Sequence, residues 1–353
     1  RRLLLSPTAS GKSLMIYAIM RFHLNAGRNI LIVVPTTSLV EQMYKDFEEY
    51  GWMASKYCHK IYAGHEKYTD HDVVITTWQS VYKEPRKWFD RFDVVIGDEA
   101  HLFKAKSLTS LMTKLHECKY RIGFTGTLDG TETNQLVLEG VFGRCTQVTR
   151  TAELMKRGQV ADLKVRVLVL KHEYQSFASY QDEMEYLVGN ESRNKFIRNL
   201  VKDLPGNTLV LFNYVEKHGE PLYELLNSSI NRPVHFVHGG VDVDDREEIR
   251  SLTEESDNTI IVASYGTFST GINIKKLHNV IFASPSKSRV RNLQSIGRVL
   301  RKGDNKNQAV LYDIADDISR NNFRNYTLNH LFERVKVYNE EKFDYEIIDV
   351  NLR

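Results

Sequence analysis

The chain has 353 residues, 42% of them apolar, enough for two cores of ordinary domain size. Its 48 basic and 45 acidic residues leave a formal charge of +3, which excludes a polynucleotide binder working by bulk charge, so any basic surface has to be local. No apolar run reaches the roughly 18 to 20 residues of a membrane span, and Cys58, Cys118 and Cys145 are too scattered for a disulfide framework or a metal knuckle. The expectation is a soluble, monomeric protein of a reducing cytoplasm. Because Arg1 stands first and an apolar strand runs straight into a loop motif, the chain also reads as a piece of something longer.

In chain order, the short apolar runs are LLL (3–5), NILIVV (29–34), DVVIT (72–76), DVVIG (93–97) and RIGFT (121–125), with amphipathic stretches between them. Strands alternating with helices predict a doubly wound parallel sheet. From about 146 to 192 the alternation lapses into one long strand candidate, LKVRVLVL (163–170), and a polar stretch rich in Tyr and Glu, read as a crossover between domains. It resumes with TLVLF (208–212), VHFVH (234–238), TIIVA (259–263), NVIFA (279–283) and AVLYDI (309–314), a second sheet of the same type. Leu328, Leu331, Phe332, Val335 and Tyr338 then fall at helical spacing. The expected organisation is an α/β chain with domains at 1–150 and 151–315 and a helical C-terminal segment at 316–353.

The first loop, SPTASGKS (6–13), delivers Gly11 and Lys12 to a helix start, where free N–H groups and the helix dipole favour an anion. There Thr8, Ser10 and Gly11 would line phosphates, Lys12 would reach the β- and γ-phosphates of ATP, and Ser13 would bind Mg²⁺. Ser6 stands where the strict pattern has its first glycine, so the loop alone decides nothing. VVIGDEAH (94–101) adds Asp98 and Glu99 at the carboxyl edge of a parallel sheet, where such sheets bind ligands. Asp98 suits Mg²⁺ held through water, and Glu99 suits a base that orients or deprotonates the attacking water. His101 either links nucleotide state to the second domain or caps the next helix.

In QSIGRVLRK (294–302), Gln294, Arg298 and Arg301 fall on one helical face. They are either a solvated basic face or candidates for placing positive charge on a transferring phosphoryl group. PTTSLVEQ (35–42) and TTWQS (76–80) offer Thr36, Thr37, Thr77, Trp78 and Gln79 past strand ends, where hydroxyls and amides can follow a polynucleotide backbone. Trp78 is either a base-stacking platform or a core aromatic. Lys287, Arg289 and Arg291 form a basic cluster, either a backbone contact or a solvated turn.

These motifs, with FTGTL (124–128) and ASYGTFSTGINI (263–274), resemble in order those of superfamily two DEAH-box-type helicases, and the finer wording is most similar to the UvsW-type DNA helicases of T-even-like phages. The resemblance implies two tandem RecA-like domains, ATP and Mg²⁺ as cofactors, and hydrolysis coupled to unwinding or remodelling of branched or single-stranded DNA in recombination, replication and repair, in a host cytoplasm. It places Gln294 near the γ-phosphate and attacking water, Arg298 and Arg301 as arginine fingers, and Gly271 and Asn273 beside the nucleotide. Ser269 and Thr270 fall nearer the nucleic acid or a hinge, Thr125 and Thr127 in the coupling motif, and His238 and Gly239 near the tracked strand. Many members carry Asp at Asn273. The alternatives are an RNA helicase, including action on an RNA–DNA hybrid, a restriction-system translocase, or a nucleic-acid binder that does not hydrolyse ATP.

Overall fold

The computed structural model describes all residues except 129–130, 272–273, 275, 301–307, 321–323 and 353; within helices, the side chains of 104, 243–244, 269–271 and 289–290 are also outside the description. Two compact units divide the chain, Arg1–Arg150 and Thr151–Arg353. The first contains β1 (Arg2–Leu5), β2 (Ile30–Val34), β3 (Cys58–Ile61), β4 (Val73–Thr77), β5 (Val94–Gly97), β6 (Tyr120–Thr125) and β7 (Cys145–Gln147), in the order β3-β4-β2-β5-β6-β1-β7. The second contains β8 (Asp162–Lys171), β9 (Thr208–Phe212), β10 (Val234–Val237), β11 (Ile260–Ser264), β12 (Asn279–Phe282), β13 (Gln308–Asp317) and β14 (Asp344–Asn351), in the order β10-β11-β9-β12-β13-β8-β14. Every pairing in both sheets is parallel, and the second order is the first with each label advanced by seven.

Parallel sheets are covered on both faces, which is why β2, β4 and β9 are apolar or β-branched at every position and buried throughout. In the first unit α1 (Lys12–Asn25) and α2 (Thr37–Glu49) bury Ile16, Met20, Val40, Met43 and Phe47 in one core, and α3 (Glu132–Phe142) buries Leu138 and Phe142 in the other. Gly97 and Gly123 are register partners on β5 and β6. A methyl on Gly97 would come within 2.8 Å of Phe103 and 3.0 Å of Phe142, and one on Gly123 within 2.9 Å of Phe142. The Phe142 ring therefore packs directly on backbone beside the end of β5.

The second unit adds α4 (Tyr180–Gly189), α5 (Glu191–Asp203), α6 (Val243–Glu255), α7 (Tyr265–Gly271), α8 (Arg289–Val299) and α9 (Tyr326–Glu341). Buried ion pairs tie two of these helices to β13. Arg193 on α5 donates from Nε and Nη2 to the two carboxylate oxygens of Asp316 at 2.8 and 3.0 Å, and from Nη2 to the Ala283 carbonyl at 2.7 Å. Burial pushes the Asp316 carboxyl up, but Arg193 and His172 outweigh it and hold its pKa at about 2. Arg334 on α9 donates to Asp313 at 2.8 Å, and the Tyr338 hydroxyl donates to the same oxygen at 2.8 Å. Such pairs are costly to desolvate; their leverage is that losing one partner strands a buried charge, at about 3–5 kcal/mol.

Two sequence expectations are corrected here. The segment taken as a crossover contains β8, which pairs with β13 along ten positions and belongs to the second sheet. The C-terminal segment expected to be helical is α9 followed by a strand, β14, which runs along β8 from Asp344 opposite Lys164 to Asn351 opposite Lys171. Lys342 ends α9 in a left-handed conformation (φ 58°). The residues after it, rich in Tyr, Ile and Val, favour a strand, and pairing satisfies the backbone groups on that edge of β8.

Candidate nucleotide and nucleic-acid sites

β1 ends at the loop by a hydrogen bond from Ser6 N to the Thr125 carbonyl, 2.9 Å. Ser6 is fully buried, its Oγ is 2.6 Å from Ser10 Oγ, and Ser10 Oγ donates to the Pro7 carbonyl at 2.6 Å. With the Ser10 proton so used, Ser6 is the donor to Ser10. The left-handed residues of the loop are Ala9 (φ 65°) and Gly11 (φ 81°), so position 6 does not need glycine. The serine that spoils the strict pattern instead braces the loop. Gly11 caps α1, leaving Lys12 and Ser13 in its first turn, where backbone N–H groups lack intrahelical partners.

β5 brings the carboxylates to this loop. Asp98 N donates to the Val33 carbonyl at 2.9 Å, and Asp98 Oδ1 accepts from Glu99 N at 2.9 Å. Lys12 Nζ lies 3.1 Å from Glu99 Oε1 and 4.0 Å from Asp98 Oδ1. Burial pushes the Asp98 carboxyl above its ordinary range; Lys12 opposes the shift and Glu99 adds to it. Glu99 occupies the left-handed region (φ 47°, ψ 49°), a conformation costing roughly 1–2 kcal/mol for a non-glycine residue. That strain sits on the residue the motif assigns to water.

His101 Nδ1 is 3.0 Å from Thr125 Oγ1 and 3.4 Å from Glu99 Oε2. Since Thr125 gives its one hydroxyl proton to the Thr127 carbonyl at 3.0 Å, His101 Nδ1 is the donor to Thr125. Gly126, which the sequence reading passed over, borders the loop: a methyl there would stand 3.6 Å from the Ser6 carbonyl oxygen and 3.7 Å from both Lys12 Nζ and Thr8 N. The glycine between the two threonines of FTGTL was the available signal.

Ser13 and Asp98 supply hard oxygen donors of the kind Mg²⁺ takes. Among the described residues no group of three or more His, Cys, Asp and Glu could hold a metal. An ion here would take its remaining oxygens from phosphate and water, the usual coordination of Mg²⁺ at nucleotides. The donor set fits.

In the second unit Gln294 and Arg298 are half-buried, one turn apart on α8, and the Arg298 guanidinium carbon is 5.9 Å from the centre of the Phe268 ring on α7. Arg301 and Asn273 lie outside the described residues. Ser269, Thr270 and Gly271 form the end of α7, with their side-chain surroundings outside the description.

The strand-tracking candidates divide. Thr36 caps α2, its Oγ1 accepting from Leu39 N at 3.3 Å, and Thr37 is exposed. Gln79 is exposed and donates to the Pro35 carbonyl at 3.5 Å, bringing the ends of β2 and β4 together. Thr77 is buried, with its hydroxyl 2.8 Å from Ser80 Oγ. Trp78 is half-buried, packed against the core and 5.6 Å from the Tyr82 ring, the core-aromatic alternative. Thr37 and Gln79 are thus the outward-facing members of the set. His238 packs 5.1 Å from Phe236 and accepts from Gly240 N at 3.2 Å, while the exposed Gly239 accepts from Arg246 at 3.0 Å.

Residues 1–130 match the family described as type III restriction enzyme, res subunit, and residues 192–303 match the helicase conserved C-terminal domain. UvsW of Enterobacteria phage T4, an ATP-dependent DNA helicase, is 37% identical over 375 aligned positions, covering 100% of this chain and 74% of that protein. The chain belongs to the UvsW helicase family. The DNA-bound type ISP restriction-modification enzyme LlaBIII superposes with a TM-score of 0.73 at 16% identity, covering 99% of this chain and 30% of that one. Dbp5 of S. cerevisiae bound to RNA gives 0.64 at 15% identity, covering 100% and 85%. At those identities the likeness concerns fold alone, and the fold is that of tandem RecA-like helicase domains, as the motifs of this UvsW-family chain imply.

Proposed function

We propose that this chain is the motor of an ATP-dependent DNA helicase that unwinds or remodels branched DNA. The observation that carries the reading is the convergence of Lys12, Asp98 and Glu99 within 4.0 Å at the carboxyl edge of the first sheet, beside a helix N-terminus. The membership in the UvsW family supports hydrolysis driving work on DNA.

In the proposed reaction the loop N–H groups and Lys12 hold the β- and γ-phosphates. Glu99 orients the attacking water and takes its proton. Ser13 and Asp98 would hold Mg²⁺, which when bound neutralises charge on the phosphates. His101 and Thr125 connect the carboxylate edge to FTGTL. From the second domain, Gln294, Arg298 and Arg301 contribute polar and positive groups to hydrolysis, with Gly271 and Asn273 beside the nucleotide. Thr36, Thr37, Gln79, Gly239, Ser269 and Thr270 supply contacts along the strand, with lesser parts for Thr77, Trp78 and His238. No helix among the described residues is long and apolar enough to cross a membrane, and the proposed setting is the host cytoplasm, as a monomer.

Phosphate release would be measured for the parent and Lys12→Ala without polynucleotide and with single-stranded DNA, branched DNA or RNA. The reading expects strongest stimulation by branched DNA, lost in the variant. Stimulation by RNA alone would overturn it in favour of an RNA helicase.

A further inference from the structure

We infer that the crevice beyond the carboxyl ends of β9 and β12 is a pocket for a single nucleotide unit of a DNA strand, an inference that rests on the DNA-motor reading. The chain leaves β9 toward β10 and β11 on one side and leaves β12 toward β13 on the other, so this is the switch point of the second sheet. Open α/β sheets bind ligands in that crevice.

The cavity there is about 370 Å³ and is framed by α4, α9, the segment after β9 and the start of α8. That is near the lower end of small-ligand pockets, about 300–1,000 Å³. It has room for one nucleotide and none for a duplex.

Its charge is positive. Lys287 and Arg291 are exposed at its rim, and Ser288, which caps α8 by accepting from Arg291 N at 3.4 Å, lines it beside the positive end of the helix dipole. Asn213 accepts from Arg291 Nη1 at 3.3 Å, which steadies the guanidinium there. The carboxylates in this region are already engaged. Glu183, 1% exposed, accepts from Asn325 Nδ2, Tyr326 N, Thr327 N and Thr327 Oγ1 at 2.6–2.8 Å, and Asp313 pairs with Arg334. A phosphate entering the pocket meets cations whose neighbouring acids are occupied.

The remaining wall is aromatic. The Tyr180 ring is 5.1 Å from His330 and 6.5 Å from Tyr326, at 52° and 79°. Burial, with Arg334 and Lys287 nearby, pushes the His330 pKa down, so near neutral pH its ring is uncharged. The buried His330 Nδ1 has no hydrogen-bond partner among the described residues. Flat rings beside paired cations and a polar edge suit a base with its phosphate. Arg291 lies seven residues before Arg298 on α8, about 10 Å along the axis. A nucleotide seated at one end of that helix would bear on the hydrolysis residues at the other.

The test uses the full chain, fluorescein-labelled single-stranded DNA read by anisotropy across a salt series, and an oligonucleotide carrying 2-aminopurine. Lys287→Ala with Arg291→Ala removes two phosphate contacts and should flatten the salt slope by roughly 1.4, which is about 25-fold weaker binding at 0.1 M salt when referred to 1 M. Tyr180→Leu should reduce the change in 2-aminopurine emission on binding; circular dichroism melting confirms that each variant is folded. A millimolar excess of dAMP should leave the oligonucleotide bound. Displacement by dAMP would mean that the pocket takes free nucleotide, overturning the strand assignment. A double variant that binds DNA with the parental slope overturns the pocket and leaves the motor reading intact. A parent chain that does not bind DNA overturns both.

Discussion

In matching sheet positions, β5 of the first domain corresponds to β12 of the second, and the two edges carry opposite charge: Asp98 and Glu99 after β5, Lys287 and Arg291 beyond β12. The difference extends to buried charge. In the first domain the desolvated carboxylate is at the ligand edge, pushed above its ordinary range and only 4.0 Å from a lysine. In the second, Asp316 is locked by two-point contact with Arg193 and held at about 2. One sheet plan therefore supports a buried carboxylate left incompletely paired and another paired at both oxygens. All three tryptophans, Trp52, Trp78 and Trp88, lie in the first domain, so their fluorescence follows that domain while calorimetry sees both.

The largest expected effect would break the comparison at its functional end. Arg298→Ala should lower kcat for ATP hydrolysis by about 10³-fold or more, and Glu99→Gln by about 10²- to 10⁴-fold, both with near-parental nucleotide affinity. A parental kcat in Glu99→Gln would remove the first domain's claim to the chemistry. Next is Arg193→Met, which leaves Asp316 buried without its cation. It should cost the second domain about 3–5 kcal/mol by calorimetry while the tryptophan-detected transition stays in place.

Acid sharpens the contrast by another route. Burial, aided by Arg193, lowers the His218 pKa from 6.5 to about 3, so the unfolded chain binds a proton that the folded chain refuses. Second-domain stability should therefore be intact above pH 6.5 and fall between 6.5 and 3 by about 1.4 kcal/mol per pH unit from this group. His218→Gln should flatten that slope in calorimetric scans. Asp316, also depressed, adds its loss only as pH falls below 3.8 toward 2. The smallest effect on stability is that of Asp98→Asn, which also removes the proposed Mg²⁺ ligand and with it hydrolysis. Because burial raises the folded carboxyl, its ionised form costs stability at pH 7, so the neutral isostere should raise the melting temperature of the first domain slightly. A destabilised tryptophan transition in that variant would mean Lys12 holds Asp98 more firmly than its distance suggests.

Much of the first site was legible because its residues follow from chain order: a phosphate loop after one strand and carboxylates after another meet wherever a parallel sheet aligns their ends. Ser6 looked like a defect because the pattern is written in residue types, whereas the backbone needs its left-handed residues at Ala9 and Gly11. Thr77 and Trp78 could not be sorted from sequence, since which way a residue faces after β4 depends on packing against the core. β14 was missed because, at the edge of the sheet, its eight residues DYEIIDVN lack the continuous apolar run of a central strand, and the strand candidate that is its partner β8 was read as part of a crossover. The Arg193–Asp316 pair joins residues 123 positions apart, beyond any local pattern.

The place of β1 has a consequence for how the molecule is made. It precedes every other strand of its sheet in the chain, yet it sits between β6 and β7, with Leu3 opposite both Gly123 and Cys145. On a ribosome, this strand waits with its leucines unpaired until nearly the whole first domain has emerged, and such distant pairings form slowly. Within this domain the candidate phosphate loop is thus made before the other strands and completed only after them, so the proposed hold on nucleotide would be gained late in the folding of the domain.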